Sequence, residues 1–494
     1  MKKINIIAIC LSVITLMTSC DKFLELTPRD QKVVSTVEDY RDILASYMKF
    51  IKTPNPSQMM IMGIGSFTFP YFNVSTNLGV YTGETNLDTK SSVNFDKATN
   101  QYHKEAINMM TWLKPDEYIW NQYYEFLGGI NLVIKGISTA TGDNEDLRNY
   151  VMGEALVWRA FGYYKLLQYY SPYKNNEYGI PVYLTPDENI GTAMPKRETQ
   201  EHVFKQILGD CQHALTLLET TPTNDWNCAY RYDFINAMMA SIYTWKAGSG
   251  AAEATDWSNA AKCATEAMQG RQLTNSVDEI RQMFDCYQVT METFMVSDEF
   301  YFRIMDGDNR CIMNLVDSYY ECYYLVDGRA NPDYYNKFMD GDIRKEAYFS
   351  EDGALSDKYN LIGASDGGCL IPFRLAEMYL IKAEALARQG NLGEAASVLR
   401  QFKQARYTGD IEVPTGEKEL MREILDERLR EFYMENDFRW LDMKRLGVKV
   451  TRTVQGERHV LEPDDFRYTF PIPNKEMEIN KSMKQAPGWE NVII

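Results

Sequence analysis

A chain of 494 residues with 69 acidic and 52 basic side chains, formal net charge −17, repels a phosphate backbone, which argues against nucleic acid as a partner. The length allows about three domains at roughly 150 residues each. No Pro/Gly/Ser linker, low-complexity tract or long block of like charge divides it, so one large globular body is expected.

The N-terminus reads as a leader. Met1-Lys2-Lys3 precedes an apolar run from Ile4 to Met17, shorter than the roughly 20 residues a membrane-spanning helix needs. Small residues Thr18 and Ser19 then precede Cys20, as in a secretory signal cut just before a cysteine. Leu16-Met17-Thr18-Ser19-Cys20 resembles a bacterial lipobox, with Cys20 as the lipid anchor and residues 1–19 removed. Loss of Lys2 and Lys3 takes the charge from −17 to −19. Several acyl chains on one cysteine hold a protein where a single chain does not. Seven cysteines then remain, an odd number without CxxC or zinc spacing; whether Cys311 and Cys322 pair in an oxidising compartment is left open by the sequence.

Helical periodicity dominates the mature chain, over 115–137, 144–172, 197–219, 232–248, 256–269, 373–390, 391–407 and 420–447. Short strands are expected at 182–184, 299–304 and 468–472. In 383–402, Ala383, Leu386, Gly390, Ala395, Leu399 and Phe402 keep the spacing of a tetratricopeptide repeat. Trp257, Ala260, Ala264 and Ala267 offer a second such helix, and Ile207, Cys211 and Ala214 a third. The expected fold is therefore mostly α, a tetratricopeptide-like α-α superhelix with long loop insertions and a few short strands.

The blocks then converge on a family. Cys20-Asp-Lys-Phe-Leu-Glu-Leu-Thr-Pro28, the Trp120 helix, Gly153-Glu-Ala-Leu-Val-Trp-Arg-Ala160 with Gly179-Ile-Pro-Val-Tyr-Leu184, and the segments 373–390, 426–447 and 470–489 resemble, in order, the SusD/RagB outer-membrane lipoproteins of nutrient uptake. Phe126 and Gly129 depart from the family's pattern around Trp120. The resemblance implies a lipoprotein exposed at the cell surface that lids a SusC-like TonB-dependent transporter and binds an oligosaccharide or, in some members, a peptide. It divides the mature chain into 20–225, 226–330 and 331–494 within one body.

No catalytic constellation stands out. The four histidines form no HExxH or compact metal spacing, and no Gly-x-Ser-x-Gly or phosphate loop is present. Asp306/Asp308 and Asp340/Asp342 read as Asp-Gly turns rather than calcium loops. The acidic side chains of 417–435 are expected on a solvated helix face. Neither a cofactor nor a metal is expected.

A sugar site needs rigid aromatic planes ringed by polar groups. Trp120, Trp158, Trp245, Trp257, Trp440 and Trp489 fall in regular or structural blocks, leaving Trp112 and Trp226. Candidate ligand residues are Trp112, Asn86 and Asp88 from the early part of the chain, and Asn309, Arg310, Tyr319, Tyr320 and Tyr323 from a mid-chain insertion. Trp112 and Tyr320 are the leading aromatics. Two other readings stay open: a surface glycoside hydrolase working with two carboxylates, and a repeat scaffold that binds only protein.

Overall fold

The computed structural model describes residues 34–52, 82–84, 111–113, 117–185, 195–221, 229–284, 298–302, 304–306, 331–350, 358, 368–454, 456–490 and 492. In chain order these form α1 (Val37–Lys52), α2 (Glu117–Ile137), α3 (Glu145–Tyr170), α4 (Gln200–Leu218), α5 (Tyr232–Lys246), α6 (Asp256–Ala267), α7 (Val277–Phe284), β1 (Ile304–Asp306), α8 (Pro332–Tyr335), α9 (Ile343–Tyr348) and β2 (Gly368–Leu370). Then come α10 (Leu375–Arg388), α11 (Leu392–Gln404), α12 (Glu417–Glu431), α13 (Phe438–Leu446), β3 (Val450–Val454), β4 (Glu457–Leu461) and α14 (Asn474–Ile479).

The central element is α3. From Gly153 to Tyr170 every side of it is buried, so it has no solvent face. The Asn144 side chain accepts from Leu147 N at 3.0 Å to start it, and Ser171 ends it before Pro172. Three of its charged residues are paired with neighbours. Glu154 accepts from Tyr230 N (2.8 Å), Ala229 N and Trp158 Nε1, closing the approach to α5. Arg159 grips Asp210 of α4 through two nitrogens at 2.7 Å, and Lys165 pairs with Asp437 at 2.8 Å. Gly153 leaves room for the Tyr230 ring, which a Cβ would meet at 2.2 Å. The Glu-Ala-x-x-x-Arg-Ala block is thus a set of interhelix locks.

The carbonyl end of α3 is finished from far away in sequence. Lys444 donates to Gln168 O (2.6 Å) and Ser171 O (2.8 Å), Arg197 to Tyr170 O (3.0 Å), and Phe470 N to Tyr169 O (2.8 Å). Burial, with Arg197 nearby, pushes the Lys444 amine well below its ordinary pKa.

Helices pair in succession as repeat stacking requires: α3 with α4, α5 with α6, α10 with α11, and α6 against α10 to continue the stack. Ile207, Cys211 and Ala214 on α4, and Ala260, Ala264 and Ala267 on α6, are fully buried, so small side chains let the axes approach. Gly390 turns α10 into α11 at φ +82°, and Asn391 N closes on Leu386 O at 2.9 Å. Ala383, Ala395, Leu399 and Phe402 are fully buried and Leu386 nearly so. The tetratricopeptide-like expectation holds.

The expected strands form only in part. One of them does pair: Ile304–Asp306 runs antiparallel to Gly368–Leu370, with Ile304 opposite Leu370, and Phe300 is bridged to Arg374. Among the described residues the other two segments form no strand, and Tyr468 ends a short 3-10 helix, Phe466–Tyr468. At 182–184, Tyr183 N is bonded to the Tyr163 hydroxyl (2.8 Å) and its carbonyl accepts Asn131 Nδ2 (2.7 Å), so side chains replace a ladder. Near 470, Phe470 uses Tyr169 O and Ile472 uses the Gln485 amide. Conversely β3 and β4 pair as a hairpin that turns at Gly456, with φ +79°.

The continuous helical pattern of 420–447 is broken. Helix α12 stops at Glu431, α13 starts at Phe438, and Met434 and Asn436 sit at φ +50° and +49°. Left-handed non-glycine residues cost on the order of 1 kcal/mol each. Hydrogen bonds offset that: Lys358 Nζ donates to the backbone carbonyls of Glu431 and Tyr433, and the Asn436 side chain donates through Nδ2 to Ile371 O. No described helix is long and apolar enough to cross a membrane.

Candidate ligand-binding site

Of the sequence-derived candidates, Cys20, Asn86, Asp88, Asn309, Arg310, Tyr319, Tyr320 and Tyr323 lie outside the described residues, as do Trp226, Cys311 and Cys322. Trp112 is described, and it corrects the expectation. The indole is 1% exposed and belongs to the main core. Arg452 and Arg467 guanidiniums lie 4.6 and 5.6 Å from its ring centre. A ring so enclosed offers no open face to a sugar; it packs the chain at the point where φ turns to +59°. Trp120, Trp158, Trp245, Trp440 and Trp489 are buried as expected, and Trp257 is partly so.

What the structure brings together is the stems of the candidate segments. Residues 82–84 precede Asn86 and Asp88, and Asn331 comes after the Tyr319–Tyr323 insertion. Asn331 N donates to Glu84 O at 3.0 Å, Asn331 Nδ2 to Gly83 O at 2.9 Å, and the Tyr334 hydroxyl to Thr82 O at 3.2 Å. The Glu84 carboxylate is the pin. One oxygen accepts Met434 N from the turn between α12 and α13, and the other accepts the Thr82 hydroxyl, both at 2.9 Å. Burial raises the Glu84 carboxyl above its ordinary pKa, opposed by the Met434 amide and by Arg439. Arg452 joins the Trp112 stem to the same place, because its Nη2 would lie 3.0 Å from a Cβ at Gly83. Gly83, at φ +74°, admits that approach.

Beneath this junction lies a buried electrostatic frame. Glu431 receives Arg374 Nη1 (2.8 Å) and Arg406 Nη2 (3.1 Å) on one oxygen, and Arg406 Nε (3.0 Å) and Arg344 Nη1 (3.1 Å) on the other. Arg374 also clasps Glu435 at 2.7 and 2.9 Å, and Arg344 clasps Asp342 and reaches Glu427 at 2.7 Å. Lys358 completes the ring on Glu435 at 2.9 Å, between the Phe284 and Tyr348 rings. Its amine is lowered to about 8, chiefly by burial.

This frame overturns the solvated-face expectation for 417–435. Glu417 and Glu419 are exposed, but Glu427, Glu431 and Glu435 are at most 2% exposed. Despite burial, the guanidiniums hold Glu431 well below the usual carboxylate range and Glu427 at about 2. Such carboxylates are neither proton donors nor open nucleophiles. The sequence does carry the signal: the apolar stripe of Leu420 and Ile424 continues in register through Glu427 and Glu431. Asp342 is likewise a helix cap and ion-pair partner after Gly341 at φ +78°. Nothing in the sequence singles out Glu84, a lone acid between Gly83 and Thr85.

The comparisons agree with this architecture. A family model described as starch-binding, associating with outer membrane, matches residues 22–243, and a SusD family model matches residues 356–489. The chain is 32% identical over 124 residues to the starch-binding protein SusD of Bacteroides thetaiotaomicron, a match covering 24% of this chain and 21% of that protein. A SusD-like protein of Formosa agariphila is 22% identical over 534 residues, covering 97% of this chain and 99% of the other. In three dimensions the chain resembles a SusD-like carbohydrate binding protein from Bacteroides vulgatus, with TM-score 0.64, 19% identity, and 91% and 97% of the two chains covered.

Proposed function

The chain belongs to the SusD/RagB family, and on that premise we propose that it is an outer-membrane lipoprotein, anchored through Cys20, that binds an oligosaccharide and delivers it to a SusC-like TonB-dependent transporter. The relative named for starch binding and the two family matches support glycan binding of some kind. One structural observation favours a site built from the insertions. The stems of the early segment and of the mid-chain insertion are pinned to each other through Glu84 and Asn331. Asn86, Asp88, Asn309, Arg310, Tyr319, Tyr320 and Tyr323 are the proposed ligand residues on that support; Trp112, a core residue, is not among them.

Stacking on aromatic planes gives affinities from micromolar to millimolar, about −8 to −4 kcal/mol. Calorimetry of the mature protein against an oligosaccharide panel tests the reading. A saturable heat with one glycan class, lost in Tyr320→Ala, supports it. Release of shorter products by the purified protein would turn the assignment to a hydrolase. No binding to any glycan, with a barrel partner still co-purifying, would leave a protein-only scaffold.

A further inference from the structure

A small cavity of about 30 Å³ lies where α3, α5, α10, α12 and α13 meet. Three of its lining residues each carry a buried polar atom without a hydrogen-bond partner: Gln168 Oε1 on α3, Glu377 Oε2 on α10 and Arg428 Nη1 on α12. These residues are 3, 3 and 5% exposed. Leaving a buried donor or acceptor unmade costs about 1–3 kcal/mol each, so three unmade groups around one space call for a common partner.

The demand selects the partner. Two acceptors need hydrogens and one donor needs a lone pair. A sodium or ammonium ion supplies no lone pair to Arg428, and chloride supplies no hydrogen to Gln168 or Glu377. The lining also sets Lys165, Arg428 and Arg445 against the carboxyl groups of Glu377, Asp437 and Asp442. Most of these charges are already engaged: Lys165 with Asp437, Arg445 Nε with Asp442 at 2.7 Å, and Arg428 Nε with Asp442 at 3.0 Å. Arg428 Nη2 stands 3.8 Å from Glu377 Oε1, too far for a direct hydrogen bond. A water molecule donates twice and accepts, and it needs only about 10–15 Å³ of such space.

We propose that this cavity is a built site for an ordered water that donates to Gln168 Oε1 and Glu377 Oε2 and accepts from Arg428 Nη1. The water bridges the two family-matched parts of the chain, since Gln168 lies within 22–243 while Glu377 and Arg428 lie within 356–489. It is part of the fold and independent of ligand binding.

The test is a crystal structure of the full mature chain, alone and as Glu377→Gln and Glu377→Met. The wild-type protein is expected to show one density peak at about 2.7–3.2 Å from all three atoms. Glu377→Gln keeps an acceptor oxygen and should keep the peak, whereas Glu377→Met fills the space and should lose it. Should Glu377→Met fail to fold, Gln168→Met asks the same question from α3. A wild-type cavity without a peak, one whose three atoms bond to each other, or a peak that soaking identifies as bromide or rubidium, overturns the proposal.

Discussion

Glu84 Oε1 accepts the backbone amide of Met434 at 2.9 Å, across 350 positions of chain. The carboxylate thereby fixes the early segment to the break between α12 and α13, while the main-chain carbonyl of the same residue accepts Asn331 N, just after the mid-chain insertion. Glu84→Ala is expected to leave the Met434 amide unpaired and cost about 1–3 kcal/mol in urea unfolding. It should also raise the rate of limited proteolysis at the stems. An unchanged midpoint and cleavage pattern would show that the pin is dispensable.

Glu431 is held by three buried arginines. Replacing it with Gln removes the charge while keeping the shape, leaving guanidiniums uncompensated. A loss of about 3–5 kcal/mol is expected, read as a shift in denaturation midpoint at constant slope. A loss below about 1 kcal/mol would mean that solvent or other acids take over the role.

Acid should unfold the protein through the same frame. Glu427 and Asp442 titrate at about 2 in the fold, below their ordinary 4.5 and 3.8, with Arg344 and Arg428 the main attractive causes set against burial. Depressed folded values mean the contribution is full above the ordinary range and is lost as pH falls from about 4.5 toward 2. Unfolding free energy measured across that window should fall steeply. A flat profile would contradict the linkage.

Glu377 acts in the opposite sense. Burial raises it to about 7, with Arg428 and Lys165 opposing and Asp442 and Asp437 reinforcing. An acid raised in the fold costs stability as pH climbs from about 4.5 through about 7. Glu377→Gln should therefore gain relative to the parent between about pH 5 and pH 8. A gap that stays constant with pH would show that Glu377 keeps its charge throughout.

Two aromatic substitutions separate core from site. Trp112→Ala should cost about 3–5 kcal/mol by emptying a fully packed position. Tyr320→Ala should leave the unfolding midpoint in place while weakening oligosaccharide binding about tenfold, or about 1.4 kcal/mol. The reverse pattern would return Trp112 to the ligand set.

The helical body is readable from sequence because period and small-residue spacing report packing directly: Ala260, Ala264 and Gly390 do what their spacing implies. Short strands read less well, since Tyr183 and Ile472 satisfy their backbones through Asn131, Tyr163 and Gln485, partners that no local pattern announces. The buried acids of α12 defeat the equation of charge with solvent, although Glu427 and Glu431 continue the stripe of Leu420 and Ile424. Trp112 misleads for a related reason. Irregular sequence around an aromatic does not say which of its faces is covered, and here Arg452 and Arg467 cover them from 340 and 355 positions away (452 − 112 and 467 − 112).

The closure of α3 by Lys444 and Phe470 has a bearing on how the polypeptide is made. The ribosome releases the central helix long before the donors for its last carbonyls, Lys444 being 276 positions beyond Gln168. High contact order slows folding. The N-terminal half therefore keeps an unfinished seam at the end of its central helix until the C-terminal part has been made.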